Sequence, residues 1–240
     1  SRSSTTSRTS LLKSCSRRWG SPNLYLRGSR NISQMEALRR ILSVREGKGP
    51  SPTFTEPQLA YLIFLIGSEP YIGRKRLKEL LQLGEGSVRT MVSRLMKRGL
   101  AVSTRGGVAL TEKGREVYEK LRKLISPLRK VSFKMPWEAP ANYGVVVKGL
   151  ADRISTGLEE RDEAVRHGAS AAMVLTFLSD GVHMPRVSNL SVERPEFAEQ
   201  VKSFFKPEVG DVIIITGAED EPRAMYSALA AALKILLGKR

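Results

Sequence analysis

"GEGSVRTMVSRLMKRGL", residues 84–100, opens on two glycines and then mixes four basic side chains with evenly spaced Val, Met and Leu. At about 100° per residue, Val88, Met91, Val92, Leu95 and Met96 fall on one continuous arc. Ser87, Arg89, Thr90, Ser93, Arg94, Lys97 and Arg98 fill the remainder without an apolar intruder. The stretch therefore predicts an amphipathic helix with one face for a core and one positive face for something else.

The flanking residues complete a pattern. "GKGPSPTFTEP" ends a short helical pattern at Met35, Leu38, Ile41 and Leu42. It leads into "EPQLAYLIFLIGS", a helix apolar nearly all round and so expected to be buried. In "GRKRLKELLQLGEG", Leu77, Leu80 and Leu81 make the stripe of a second helix, which a tight turn joins to the opening stretch. Beyond Gly99, "LAVSTRGGVALT" reads as a β-hairpin, because two β-prone runs flank Arg105-Gly106-Gly107 and glycine supplies the positive φ of a tight turn. "TEKGREVYEKLRKLI" then returns to helical spacing. From about Glu56 to Ile125 this element order resembles a winged helix-turn-helix DNA-binding domain. "LTEKGREV" is similar to the segment that follows the wing in many bacterial and archaeal regulators.

That resemblance implies roles for the positive face. The second helix of a helix-turn-helix motif lies in the major groove, with base edges near its first turns. Ser87, Arg89, Thr90, Ser93 and Arg94 would meet bases there, since Arg can bond guanine bidentately while Ser and Thr are short adaptable donors. Lys97 and Arg98, a turn further on, suit phosphates. Arg74, Lys75 and Arg76 begin the preceding helix, whose free N–H groups also favour an anion. Arg105 at the wing tip could reach a minor groove or a phosphate. The alternative is a polar face that is only solvated.

Net charge is +16, and it is uneven. Residues 1–34 carry seven Arg/Lys and no acid; residues 35–126 carry eighteen basic and nine acidic; residues 127–240 carry fifteen of each. The excess lies in the front half, as expected for a basic module meeting a polyanion beside an electrically balanced module.

The remaining composition is permissive. The longest apolar run, around Leu59 to Ile66, is far shorter than the ~20 residues of a membrane span, so a soluble chain with no membrane partner is expected. A single cysteine, Cys15, excludes an intrachain disulfide and fits a reducing cytoplasm. Two histidines offer no His-rich metal site. Residues 1–34 are Ser-, Thr- and Arg-rich without a sustained apolar period. They read as a disordered basic arm, as a segment upstream of a biological start at Met35, or less well as a transit peptide.

Four segments are expected: the arm at 1–34, the DNA-binding domain at 35–126, a Pro-bearing linker at 127–142, and an α+β regulatory or dimerisation domain at 143–240. In the last, "YGVVVKGL" is a buried-strand pattern and "TGLEERDEAVRHG" a helix that Thr156 and Glu159 could open as a capping box. "AAMVLTFLSDGVHMPRV" is strand, turn, strand, and "RPEFAEQVKSFF" a helix. "DVIIITG" is a strand feeding a helix from about Pro222 to Leu237 that Asp220 caps. The order β-α-β-β-α-β with an extra C-terminal helix predicts a ferredoxin-like split βαβ arrangement. The whole chain also resembles a group of archaeal two-domain proteins through "LGEGSVRT", "ERDEAVRHGA" and "DVIIITGAEDEPRA". That resemblance implies a transcriptional regulator and assigns no ligand.

No P-loop, Gly-x-Ser-x-Gly or Cys-His pair appears, and the three acids of "TGAED" and its continuation, Glu219, Asp220 and Glu221, would repel phosphate. No enzyme and no cofactor is expected. The leading expectation is a homodimeric transcriptional regulator of double-stranded DNA with an effector-sensing or dimerisation domain. Arg161, Asp162 and His183 are its candidate effector ligands, because adjacent Arg and Asp can hold a zwitterionic or amide-bearing metabolite. The alternative is a non-catalytic adaptor that uses the winged helix for protein contacts.

Overall fold

The structure, a computed structural model, describes residues 38, 41–43 and 54–238. The readings of residues 1–34 lie outside the described residues. The front half runs α1 (Glu56–Ser68), α2 (Arg74–Leu81), α3 (Glu85–Lys97), β1 (Ala101–Thr104), β2 (Gly107–Leu110) and α4 (Glu112–Leu124). Each boundary has a local cause. The Thr55 N–H donates to Gln58 Oε1 at 2.9 Å, tying off the start of α1. Gln82 turns left-handed at φ 49° to stop α2. Thr111 Oγ1 accepts from the Gly114 N–H at 3.0 Å to open α4.

Leu77, Leu81, Val88, Met91, Val92 and Leu95 are buried together with Leu38 and Leu42. Leu80 and Met96, expected in the apolar arcs, stay partly exposed at 39% and 38%. The hairpin pairs Ala101 with Leu110 and Thr104 with Gly107. Ile72 adds a short third rung by exchanging two 2.9 Å backbone hydrogen bonds with Val108. Gly107, at φ +143°, lies so close to that rung that a Cβ would stand 2.3 Å from the Ile72 carbonyl oxygen.

The back half comprises β3 (Arg129–Lys130), β4 (Ala141–Val147), a 3-10 turn (Ala151–Arg153), α5 (Leu158–Arg166), β5 (Ala171–Leu178) and β6 (Gly181–Met184). It continues through β7 (Ser188–Asn189), α6 (Leu190–Glu193), α7 (Pro195–Phe205), β8 (Val212–Ala218) and α8 (Glu221–Leu237). The strands form one antiparallel sheet in the order β3-β4-β8-β5-β6-β7. Asp220 caps α8 as the sequence predicts, its Oδ1 accepting from the Arg223 N–H at 2.9 Å.

The sheet departs from the ferredoxin-like expectation. A ferredoxin-like sheet splits the first two strands, here β4 and β5, with the other arm of the hairpin. Here the last strand, β8, lies between them. The reason is burial: all seven residues of β8 are buried, and a strand covered on both faces belongs at the centre of a sheet. Side chains alternate across it. Val145, Val147, Val212 and Ile214 join α5, α8 and the front-half core, while Val146, Leu175, Ile213 and Ile215 join α7. Helices thus lie on both faces.

Two further expectations are corrected. Gly157, at φ 76°, caps α5, and Thr156 Oγ1 accepts from the Leu158 N–H at 3.3 Å, so no Thr156–Glu159 capping box forms. Residues 127–142 are more than a connection: Val131 and Met135 are buried under the α7 face, and Phe133 packs edge-on against Phe204 at 5.4 Å.

The two halves share a core. α4 runs directly into the sheet, with the Ser126 N–H donating to the Val146 carbonyl at 2.9 Å and the Lys148 N–H to that of Leu124 at 2.8 Å. From α8, the Tyr226 hydroxyl donates to the Leu81 carbonyl at 2.5 Å, and its ring meets Tyr61 edge-on at 5.6 Å. Among the described residues, no helix is long and apolar enough to cross a membrane.

Two glycine substitutions should move stability in opposite directions. A Cβ on Gly114 would stand 1.9 Å from the Leu100 carbonyl oxygen. Gly114→Ala should therefore cost about 2 kcal/mol or more, because backbone must shift. Nothing lies within 4 Å of a Cβ on Gly86 in α3, so Gly86→Ala should stabilise by roughly 0.5 kcal/mol by restricting the unfolded chain. Urea denaturation of both variants checks this; a tolerated Gly114→Ala would contradict the close packing.

Candidate nucleic-acid interface

α3 buries Val88, Met91, Val92 and Leu95 against the front-half core, which fixes the rotation of the helix and turns its polar arc outward. Arg89, Thr90, Ser93, Arg94 and Lys97 together line a shallow surface depression of about 420 Å³. These are five of the residues predicted from the sequence, and the helical period brings them side by side. Ser87, a turn earlier, is half-buried at the edge of the helix.

Their side chains differ in freedom. Arg89 is exposed and pairs with Glu85 at 3.0 Å one turn back, an ion pair both of whose members face solvent. Such a pair contributes little and can exchange for another anion. Thr90 Oγ1 donates to the Gly86 carbonyl at 2.9 Å while remaining exposed. Lys97 is exposed near the end of the helix.

Arg94 and Arg98 turn towards the preceding segment instead. The Arg94 guanidinium lies 5.7 Å from the Phe54 ring centroid and approaches the Ser43 carbonyl at 3.5 Å. Arg98 donates from Nη2 to the Ser43 carbonyl at 2.8 Å, and from Nη1 to the carbonyl of Ile41. These two arginines tie the segment that holds Leu38 and Leu42 onto α3. Arg94, expected to read a base, is therefore partly committed to holding structure. No signal in the sequence gives this, because the acceptors are backbone carbonyls some fifty residues earlier in the chain.

The neighbouring elements add positive charge. Arg74, Lys75 and Arg76 lie exposed on the first turn of α2, with Arg76 paired to Glu69 at 2.8 Å. Gly73 and Gly84 cap α2 and α3 without a side-chain hydrogen bond, leaving first-turn N–H groups available to an anion. Glu85 partly offsets this at α3. Arg105 is exposed in the two-residue turn between Thr104 and Gly107.

The three effector candidates lie on two elements, Arg161 and Asp162 in α5 and His183 in β6. Arg161 pairs with its neighbour Asp162 at 3.3 Å on the exposed side of α5. His183 Nε2 lies 2.8 Å from Asp180 Oδ1 across the hairpin turn. Each thus has a local partner that accounts for it. Among the described residues, no group of three or more His, Cys, Asp or Glu could hold a metal ion.

Comparison with known proteins places both halves. A family model described as "PH0730-like, N-terminal domain" matches residues 56–116. One described as a domain of unknown function (DUF4443) matches residues 139–235. No curated protein matches. Among solved structures, the hypothetical protein PH0730 from Pyrococcus horikoshii OT3 is 34% identical. The match covers 75% of this chain and 93% of that one, with a TM-score of 0.60. Two family models in tandem and a third of residues identical over nearly the whole of that archaeal protein mean that the chain belongs to the PH0730 family.

Proposed function

We propose that the chain is a DNA-binding transcriptional regulator, its front half a winged helix-turn-helix in which α3 enters the major groove, β1 and β2 form the wing, and α2 braces the backbone. The observation that carries this reading is the outward polar face of α3: Arg89, Thr90, Ser93 and Lys97 around one depression, with Arg74, Lys75 and Arg105 exposed on the adjoining elements. Short hydroxyls between cations are what base edges and phosphates require together. Arg89 would exchange Glu85 for a guanine or a phosphate at small cost, since both members of that pair are already hydrated. The back half, balanced in charge, would supply a dimer contact or sense a small molecule, with the homodimer presenting two α3 helices to successive turns of DNA.

Binding of labelled duplexes to the full chain, measured at several salt concentrations, tests this. Affinity should fall steeply with salt as Lys and Arg release counterions. Salt-independent or absent binding would favour the adaptor reading.

Variants should separate reading from positioning. Arg89→Ala should cost about 1–3 kcal/mol on the preferred site and relax base choice there. Lys97→Ala should weaken all sequences alike and lower the salt slope by about 1. Selection from a random duplex pool distinguishes the two, and unchanged preference in Arg89→Ala would contradict the groove assignment. Thermal denaturation gives the complementary result. Arg98→Ala should lose roughly 1.5–3 kcal/mol of stability, because two charge-assisted hydrogen bonds to the preceding segment go. Arg89→Ala should change stability by no more than about 0.5 kcal/mol.

A further inference from the structure

Between the two halves lies a cavity of about 380 Å³ walled by α1, α4, α8 and the chain joining α4 to the sheet. Its volume is in the range of small-molecule sites. Phe64 and Leu65 of α1 and Met225 and Leu229 of α8 give it an apolar wall. Arg122 is the one charged residue lining it. The Arg122 guanidinium is held over the Tyr118 ring at 5.6 Å and has no acidic partner among the described residues. Arg115, against the same ring, is already committed to the Gly67 carbonyl at 2.7 Å.

An apolar pocket with one oriented, unneutralised guanidinium selects by charge sign as well as by shape. We propose that this cavity binds a small apolar carboxylate, its hydrocarbon or aryl body against Phe64, Leu65, Met225 and Leu229 and its carboxylate on Arg122, and that occupancy is transmitted to α3.

The route for transmission is short. Tyr226 follows Met225 in α8, and its hydroxyl donates to the carbonyl of Leu81, the last residue of α2 before the turn into α3. The Tyr226 ring also abuts Tyr61, which lines the cavity. A ligand inserted between α1 and α8 therefore bears on the contact that sets the end of α2. It changes DNA affinity to the extent that it favours one placement of that contact over another. The transmission half of the proposal rests on the DNA-binding reading; the binding half does not.

The full chain titrated calorimetrically with octanoate, without DNA, tests the site. Octanoate should bind, and octan-1-ol should bind about tenfold more weakly for want of the charge. Arg122→Gln, at an exposed position, should erase that difference while leaving the melting temperature unchanged. Met225→Trp should abolish binding of both by filling the cavity. Absent octanoate binding, or Arg122→Gln binding octanoate as tightly as the parent, overturns the site. With the preferred duplex, saturating octanoate should shift DNA affinity about threefold or more, and Tyr226→Phe should remove the shift. Octanoate binding without any shift overturns the transmission. A protein that binds octanoate but no duplex refutes the DNA-binding reading and the transmission with it, and leaves the site standing.

Discussion

Complete burial of β8 is the constraint on which the back half depends. Seven consecutive residues, Val212–Ala218, are buried, and at about 1.5–3 kcal/mol for each Val or Ile side chain removed from water the strand must be covered on both faces. α7 with the Phe133 segment covers one face, and α5 with α8 the other. The one hydroxyl that this strand buries is satisfied by the helix packed on that face: Thr216 Oγ1 donates to the Ala224 carbonyl in α8 at 2.7 Å, which avoids the cost of leaving a buried donor unpaired. α8 is thereby pinned over the sheet, and its outer side is left to meet α1.

That meeting makes the front half more than an appendage. The core containing Val147 and Ile214 is continuous with the one containing Leu59, Met91 and Leu121. The bridge between Ile125 and Val147 leaves little slack between α4 and the sheet. α3 is held on its inner side by its Val, Met and Leu residues and on its flank by the hydrogen bonds of Arg98. Its polar arc is consequently presented by a rigid support, the condition a recognition surface needs to hold side chains in register.

Legibility in the sequence followed the range of the interactions. The helical period of residues 84–100, the Arg105-Gly106 turn and the Asp220 cap are local properties, readable from spacing and turn chemistry, and the structure places them as expected. The face shared by Arg89, Thr90, Ser93 and Lys97 was legible for the same reason. What was not legible depends on partners distant in the chain: Arg98 reaching Ser43, Tyr226 reaching Leu81, and the place of β8 in the sheet. "DVIIITG" did carry the sign of a strand buried on both faces, but order within a sheet is decided by which neighbours can cover it, and the helix-strand sequence alone admits more than one arrangement. The effector candidates show the same limit of range. Adjacent Arg161 and Asp162 satisfy each other on one helix, whereas the cavity between the halves is assembled from side chains of three helices far apart in sequence.

The position of β8 in the sheet order has a consequence for synthesis on the ribosome. β4 and β5 run parallel to each other, and each is hydrogen-bonded to β8 as the strand between them. Until residues 212–218 have left the exit tunnel, β4 lacks its main partner and β5 has only the β6 hairpin. α1 to α4, by contrast, are complete some ninety residues earlier and can collapse while the nascent chain is still tethered. The sheet is closed by a late insertion, so a stalled or shortened chain would carry a formed front half beside two unpaired strand edges, the kind of edge that recruits other chains.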